Sequence, residues 1–400
     1  MNHCCKYLLL LLTTVVSLLL SNHAVLADKA QWDRYTDAGT TAYKQGHYDE
    51  AEKSFSAALA EAEKFNPQET QLATSLNNLG LIYKTQGKYA LAEPLYKRSL
   101  EIKEKALGAN DPNVATSLNN LAELYRAQGK YPEAEPLYNR ALAIQEKVGP
   151  DNPNVALALN NLAELIVDEG KYAEAEPLYK RALALKEKVL RPDSPDLAAS
   201  LNNLGKLYLM QSKYAVAEPL LKRALAILEQ ALGPNHPQVG TCLSNLAVLY
   251  SKQDNYTAAE PLYKRILAIQ EKALGPNHPD LARDLNNLAA LYVKQGNYAQ
   301  AEPLFEQALK IDEKALGPNH PALARDLNNL AALYFKQGNY AAAEPRLKQA
   351  LEINEKALGP NHPEVARSLN NYAQLLHYTN REAEAAALEA RAKAIRTEQR

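Results

Sequence analysis

The stretch "ALGPNHPDLARDLNNLAALY", residues 273–292, returns at residues 315–334 as "ALGPNHPALARDLNNLAALY". Twenty residues recur after 42 positions with one change, Asp280 to Ala322. The paired asparagines at its centre carry the period along the chain: Asn77/Asn78, Asn119/Asn120, Asn160/Asn161, Asn202/Asn203, Asn286/Asn287, Asn328/Asn329 and Asn370/Asn371, with Ser244/Asn245 in the remaining slot. The step is 42 residues except for one of 41, where "KVGPDNP" is a residue shorter than "KALGPNHP". Self-similarity at this period predicts a solenoid, an elongated stack whose repeats touch only their neighbours and whose stability is a sum of repeat and interface terms.

Each unit contains two helical patterns. Leu281, Leu285, Leu288, Ala289 and Tyr292 fall on one face of a helix. Pro279 suits its first turn, where a missing N–H does no harm, and Gly296 ends it by accepting a left-handed backbone. The following "NYAQAEPLFEQALKIDEKAL" buries Ala301, Leu304, Phe305, Ala308 and Leu309. Short turns then make the two helices antiparallel neighbours. The expected fold is all-α, a solenoid of about nine helix pairs forming one domain over residues 28–400. In the last pair Glu389 stands where an aromatic or a leucine is otherwise found. The polar face this gives the final helix suits a cap against water.

The order Leu285-x2-Leu288-Ala289-x2-Tyr292, then Ala301-x3-Phe305 and Ala308, resembles the tetratricopeptide repeat. The 42-residue length with "LNNLAxLY", "AEPLY" and "LGPNHP" is similar to the kinesin-light-chain type of that repeat, over roughly residues 33–395. The resemblance implies a superhelix whose first helices line a concave groove that holds a protein or peptide. Kinesin light chains also carry an N-terminal heptad coiled coil for the motor heavy chain. Here only a few residues separate the N-terminal apolar segment from the first repeat, so the resemblance carries the fold and not the cargo-adaptor role.

That segment reads as a signal peptide spanning residues 1–27. Tyr7–Leu20 is apolar apart from Thr13, Thr14 and Ser17, and Val25 and Ala27 form a small-residue cleavage site. Fourteen residues are too few to span a bilayer as a helix. The expected location is therefore periplasmic or secreted, with no stable membrane span after cleavage. Cleavage leaves Cys242 as the only cysteine, so no disulfide staples the fold, and a passive, partly buried thiol is expected there.

With 46% apolar and 23% charged residues and a formal net charge of −1, the 400-residue chain lacks the basic surface that nucleic acid requires. No phosphate loop, H-E-x-x-H, C-x-x-C or G-x-S-x-G occurs. The sequence therefore points away from an enzyme and implies no cofactor. His236, His278, His320 and His362 come one per repeat, each before a proline, where other repeats place Asp111, Asn152 and Ser194. Those are helix N-cap residues, so capping is expected rather than metal binding. The proline of "AEPLY" (Pro94, Pro136, Pro177, Pro219, Pro261, Pro303, Pro345) is expected to bend or tighten the start of each second helix.

On a helical wheel, Arg283, Asn286, Asn287, Ala290 and Lys294 fall opposite the core face. By the resemblance this arc lines the groove. The asparagine amides, with donor and acceptor together, suit capture of an extended peptide backbone. The expected peptide-binding set is Asn286, Asn287, Asn328, Asn329 and Asn370 with Arg283, Arg325, Arg367, Lys294 and Lys336. One asparagine of each pair has an alternative role, tethering a neighbouring turn and serving only the stack. The arginines have one too, as a solvated face paired with Asp284 and Asp326. Because Glu123 and Glu164 give way to Ala290 and Ala332, the groove reads acidic early and basic late, which suits an acidic partner. The expected state is a monomer. A homo-oligomeric envelope or extracellular scaffold working through its convex surface is the competing reading.

Overall fold

The computed structural model describes residues 29–64, 70–149 and 151–398. The expected signal peptide, residues 1–27, lies outside the described residues. Eighteen helices follow one another, and no strand occurs among the described residues. The first pair is α1 (29–44) with α2 (Tyr48–Ala62). The later first helices are α3 (Thr70–Thr85), α5 (Pro112–Ala127), α7 (Pro153–Asp168), α9 (Pro195–Met210), α11 (Pro237–Lys252), α13 (Pro279–Lys294), α15 (Pro321–Lys336) and α17 (Pro363–Tyr378). Their partners are α4 (Tyr89–Leu107), α6 (Tyr131–Val148), α8 (Tyr172–Val189), α10 (Tyr214–Leu232), α12 (Tyr256–Leu274), α14 (Tyr298–Leu316), α16 (Tyr340–Leu358) and α18 (Glu382–Glu398). Each helix packs on the next, closely within a pair and less closely between pairs. The result is an all-α solenoid of nine helix pairs.

The letters of the repeat find their places. Leu281, Leu285, Leu288, Ala289 and Tyr292 are buried, as are Ala301, Phe305 and Ala308, whereas Leu304 and Leu309, also expected inside, are only half-buried. Tyr292 also uses its hydroxyl, which donates to Glu260 of the preceding pair at 3.3 Å. The same bond recurs from Tyr125 to Glu93, Tyr208 to Glu176, Tyr250 to Glu218 and Tyr334 to Glu302. This explains the glutamate of "AEPLY", which in these five repeats ties one repeat to the tyrosine of the next. The prolines do not mark the helix starts. Pro94 is the sixth residue of α4, and the helix continues through it. The carbonyl it leaves unbonded, on Ala90, is on an exposed turn where water can satisfy it.

Capping is as expected. His236, His278, His320 and His362 each accept the backbone N–H two residues on through Nδ1, at 3.1–3.3 Å. Asp111, Asn152 and Ser194 do the same with oxygen. Cys242 is fully rather than partly buried. Its thiol donates to the Leu221 carbonyl, and burial pushes its pKa up to about 12, so it is unreactive. In the last pair, His377 bridges Glu389 and Glu382 on the polar α18, while Ala385, Ala392 and Ile395 of that helix pack inward.

One expectation is overturned: the repeats do not touch only their neighbours. The turn after α1 meets the N-cap of α13, six pairs later. A Cβ on Gly46 would lie 2.9 Å from His278 Cδ2. Gly87 meets His320 in the same way, at 3.2 Å, and Gly129 meets His362, at 3.1 Å. Leu316 packs against the cluster of Tyr48 and Phe55. The rotation from pair to pair brings the superhelix round in six pairs, so that successive turns meet along a seam. Gly46, Gly87 and Gly129 are needed there twice over, for positive φ and for space. Where the seam is absent, Ser212, Asp254 and Asn380 take the same left-handed conformation.

Candidate functional site: the concave groove

The two asparagines of each pair have different fates. Asn286 and Asn328 are buried, 4% and 7% exposed, and their amides are spent inside the stack. Asn286 Nδ2 donates to the Ala282 carbonyl at 2.9 Å and to Asp326 in the next first helix at 2.8 Å. Its Oδ1 accepts from Asn329 at 3.1 Å. Asn328 repeats this with the Ala324 carbonyl, Ser368 and Asn371. Asn370, half-buried, donates to the Ala366 carbonyl. The second asparagine thus donates back to the first asparagine of the repeat before it, also from Asn120 to Asn77 and from Asn245 to Asn202. The first column tethers. The second column, Asn287 and Asn329 included, is half-buried beside the groove.

The arginines are committed to acids of their own surroundings. Arg283 pairs with Asp280 at 3.2 Å and approaches Asp284 at 3.8 Å. Arg367 pairs with Glu364. Arg325 has the deepest role, reaching both Asp312 and Asp326 at 3.2 Å. These two carboxyl groups are buried, and burial followed by the charge of Asp326 pushes Asp312 up to about 8. Burial pushes Asp326 up as well, so the two carboxyl groups hold a proton between them at neutral pH, under the Arg325 guanidinium and with Asn286 donating to Asp326. A change at Arg325 would unbalance this buried pair, so its first effect is on the stack. Lys294 donates to the Ser251 carbonyl and hydroxyl, whereas Lys252 and Lys336 are exposed and make no ion pair. In the early groove Arg126 binds Glu123, Glu164 and, at 3.6 Å, Asp168.

The groove floor opens at the slot without an asparagine pair. A cavity of about 380 Å³ lies among Asn203 and Lys206 of α9, Gly240 and Ser244 of α11, Gln270 of α12, and Asp284 and Asn287 of α13. Two side chains are cut back one turn apart on α11: glycine replaces the alanine found at Ala198 and Ala282, and Ser244 replaces asparagine. Sequence reasoning noted Ser244 only as an irregularity of the period; it marks this opening. Among the described residues, no group of His, Cys, Asp and Glu could hold a metal ion, and no helix is long and apolar enough to cross a membrane.

The tetratricopeptide repeat model matches residues 35–105, 71–147, 113–188, 154–230, 213–272, 244–314, 285–356 and 327–398, nearly the whole described chain. The chain belongs to the tetratricopeptide repeat family. A search of curated protein sequences returns no match. Among solved structures, this tetratricopeptide chain is similar to a Rap protein complexed with competence and sporulation factor, with a TM-score of 0.60 and 16% identity. That match covers 94% of this chain and 100% of the other and shows a shared fold. BtubC (BKLC) from P. vanneervenii matches with a TM-score of 0.47 and 25% identity, covering 57% of this chain and 92% of that one. A Podosopora anserina kinesin light chain, described as having nearly identical tetratricopeptide-like repeats, matches with a TM-score of 0.43 and 28% identity, covering 51% of this chain and 97% of its own.

Proposed function

We propose that the chain is an exported, non-enzymatic scaffold, monomeric in solution, that holds an extended segment of a protein partner along its concave groove. The carrying observation is the uncommitted half of the asparagine columns. Asn161, Asn203 and Asn287 make no side-chain hydrogen bond, and Asn120, Asn245, Asn329 and Asn371 donate inward while keeping Oδ1 unbonded. A file of amides along the groove, one per repeat, suits backbone capture. Adjacent helices pack about 8–10 Å apart, near three residues of extended chain at about 3.3 Å each. The unpaired Lys252 and Lys336 favour acidic residues in the part of the segment lying on the late repeats. The small-residue site before Asp28 supports export, and the mature chain is expected to begin "DKAQW" on N-terminal sequencing.

The test is capture of partners from the exported fraction by the wild type and by the double variant Lys252→Glu, Lys336→Glu, at low and high salt. Both lysines are solvent-facing, so the fold is unaffected. The partner should be lost with the variant and weakened by salt. A partner retained equally by both proteins at both salts refutes the groove reading.

A further inference from the structure

We infer that the cavity between α9, α11 and α13 binds a primary carboxamide, the side chain of an Asn or Gln in the held segment, in place of the amide that the asparagine ladder lacks at Ser244. The inference rests on the groove reading and deepens it. The ladder supplies the template. At Asn286 one carboxamide donates to Asp326 below it and accepts from Asn329 beside it, at 2.8 and 3.1 Å. One repeat earlier the same three places hold Ser244, Asp284 and Asn287. Serine is too short to replace either bond, and both partners are left over. Asp284 is 1% exposed and accepts no hydrogen bond; its Oδ2 is buried and unpartnered. The Oε1 of Gln270, 4% exposed, is unpartnered too. Asn287 makes no side-chain hydrogen bond, and all three residues line the cavity.

The leftover groups define the ligand. Two buried acceptors need N–H donors, and the Asn287 amide needs an acceptor. An ammonium group satisfies only the acceptors and meets Arg283 and Lys206 at the rim. A carboxylate satisfies only Asn287 and meets Asp284 and Glu164. A carboxamide satisfies both kinds. The space it needs is already cleared, since Gly240 withdraws a Cβ that would sit 3.4 Å from Gln270 Nε2.

The experiment titrates the full mature chain with an acetylated oligoalanine peptide bearing one central Gln, with its Glu and Leu counterparts, and with free L-glutamine. Binding is read from the side-chain amide resonance of Asn287, assigned by its loss in Asn287→Asp. The Gln peptide should shift that resonance and bind about tenfold or more tightly than the Glu and Leu peptides. Ser244→Asn should complete the ladder from within, raising the melting temperature and abolishing the preference for Gln. The inference is overturned if wild type does not prefer Gln, or if Ser244→Asn keeps the preference. If L-glutamine shifts the resonance and the peptide does not, the peptide-borne form is overturned. A wild type that ignores Gln but still captures its partner through Lys252 and Lys336 loses the cavity assignment and keeps the groove reading.

Discussion

Asp284 and Asp326 occupy the same place in successive first helices, 42 residues apart, and both are buried. Asp326 accepts from Asn286, is bridged by Arg325 and lies beside Asp312. Asp284 accepts nothing, with Arg283 at 3.8 Å and burial pushing it up to about 6. The difference originates in neither aspartate. It comes from the preceding repeat, where one slot is asparagine and the other is serine. In a repeat protein the state of a residue is set by its neighbour's copy of the pattern as much as by its own.

The largest effect should come from breaking the satisfied side. Asn286→Ala removes the donor to Asp326 and the acceptor of Asn329 in a buried place, and should cost about 2–4 kcal/mol by urea unfolding. Ser244→Ala, at the same slot one repeat earlier, should change stability by less than about 0.5 kcal/mol. Equal losses would mean that the ladder bonds do not distinguish the two repeats.

The pH profile sharpens the contrast next. Asp312 holds its proton up to about 8 when folded and releases it near 4 when unfolded. The folded state therefore binds the extra proton across that window, and this group's contribution to stability falls as pH rises towards 8. His320 and His362 act in the opposite sense. Burial pushes both down to about 4, so their contribution is lost as pH falls below about 6.5 towards 4. Between pH 6.5 and 8 these two histidines are silent. Wild type should lose about 1–2 kcal/mol across that interval relative to Asp312→Asn. Parallel profiles for the two proteins in chemical denaturation would remove the proton from Asp312.

The smallest effect concerns the seam. Gly87 and Gly296 have the same left-handed backbone, but only Gly87 faces another turn. Alanine should cost about 1 kcal/mol at either site for its backbone conformation. Gly87→Ala should cost a further fraction of that and widen the superhelix in small-angle scattering, while Gly296→Ala leaves the scattering curve unchanged.

Local features were legible in the sequence because each is settled within one or two turns of chain. The helix pairs, the buried Leu281 and Phe305, and the capping role of His320 all follow from spacing and residue type. The asparagine pairs were legible as two columns, one able to tether and one able to face the groove, but which column did which was not. A wheel places Asn286 and Asn287 together on the arc away from their own core, yet the neighbouring first helix covers one and leaves the other half-open. Arg325 was legible as a groove cation. Its reach to Asp312 depends on how a second helix lies beneath the next first helix. The seam was illegible for a stronger reason: it depends on the accumulated rotation of six pairs, which no single repeat encodes.

The seam changes how the molecule carries load. In an open solenoid the repeats act like links in series, and a pull along the axis peels them one interface at a time from the weaker end. Here the contacts at Gly46, Gly87 and Gly129 join one coil of the spring to the next. Tension along the axis loads these three contacts together, in parallel with the interfaces between pairs. Extension then has a threshold set by the seam, below which the coil is stiff and above which it yields like an ordinary repeat chain.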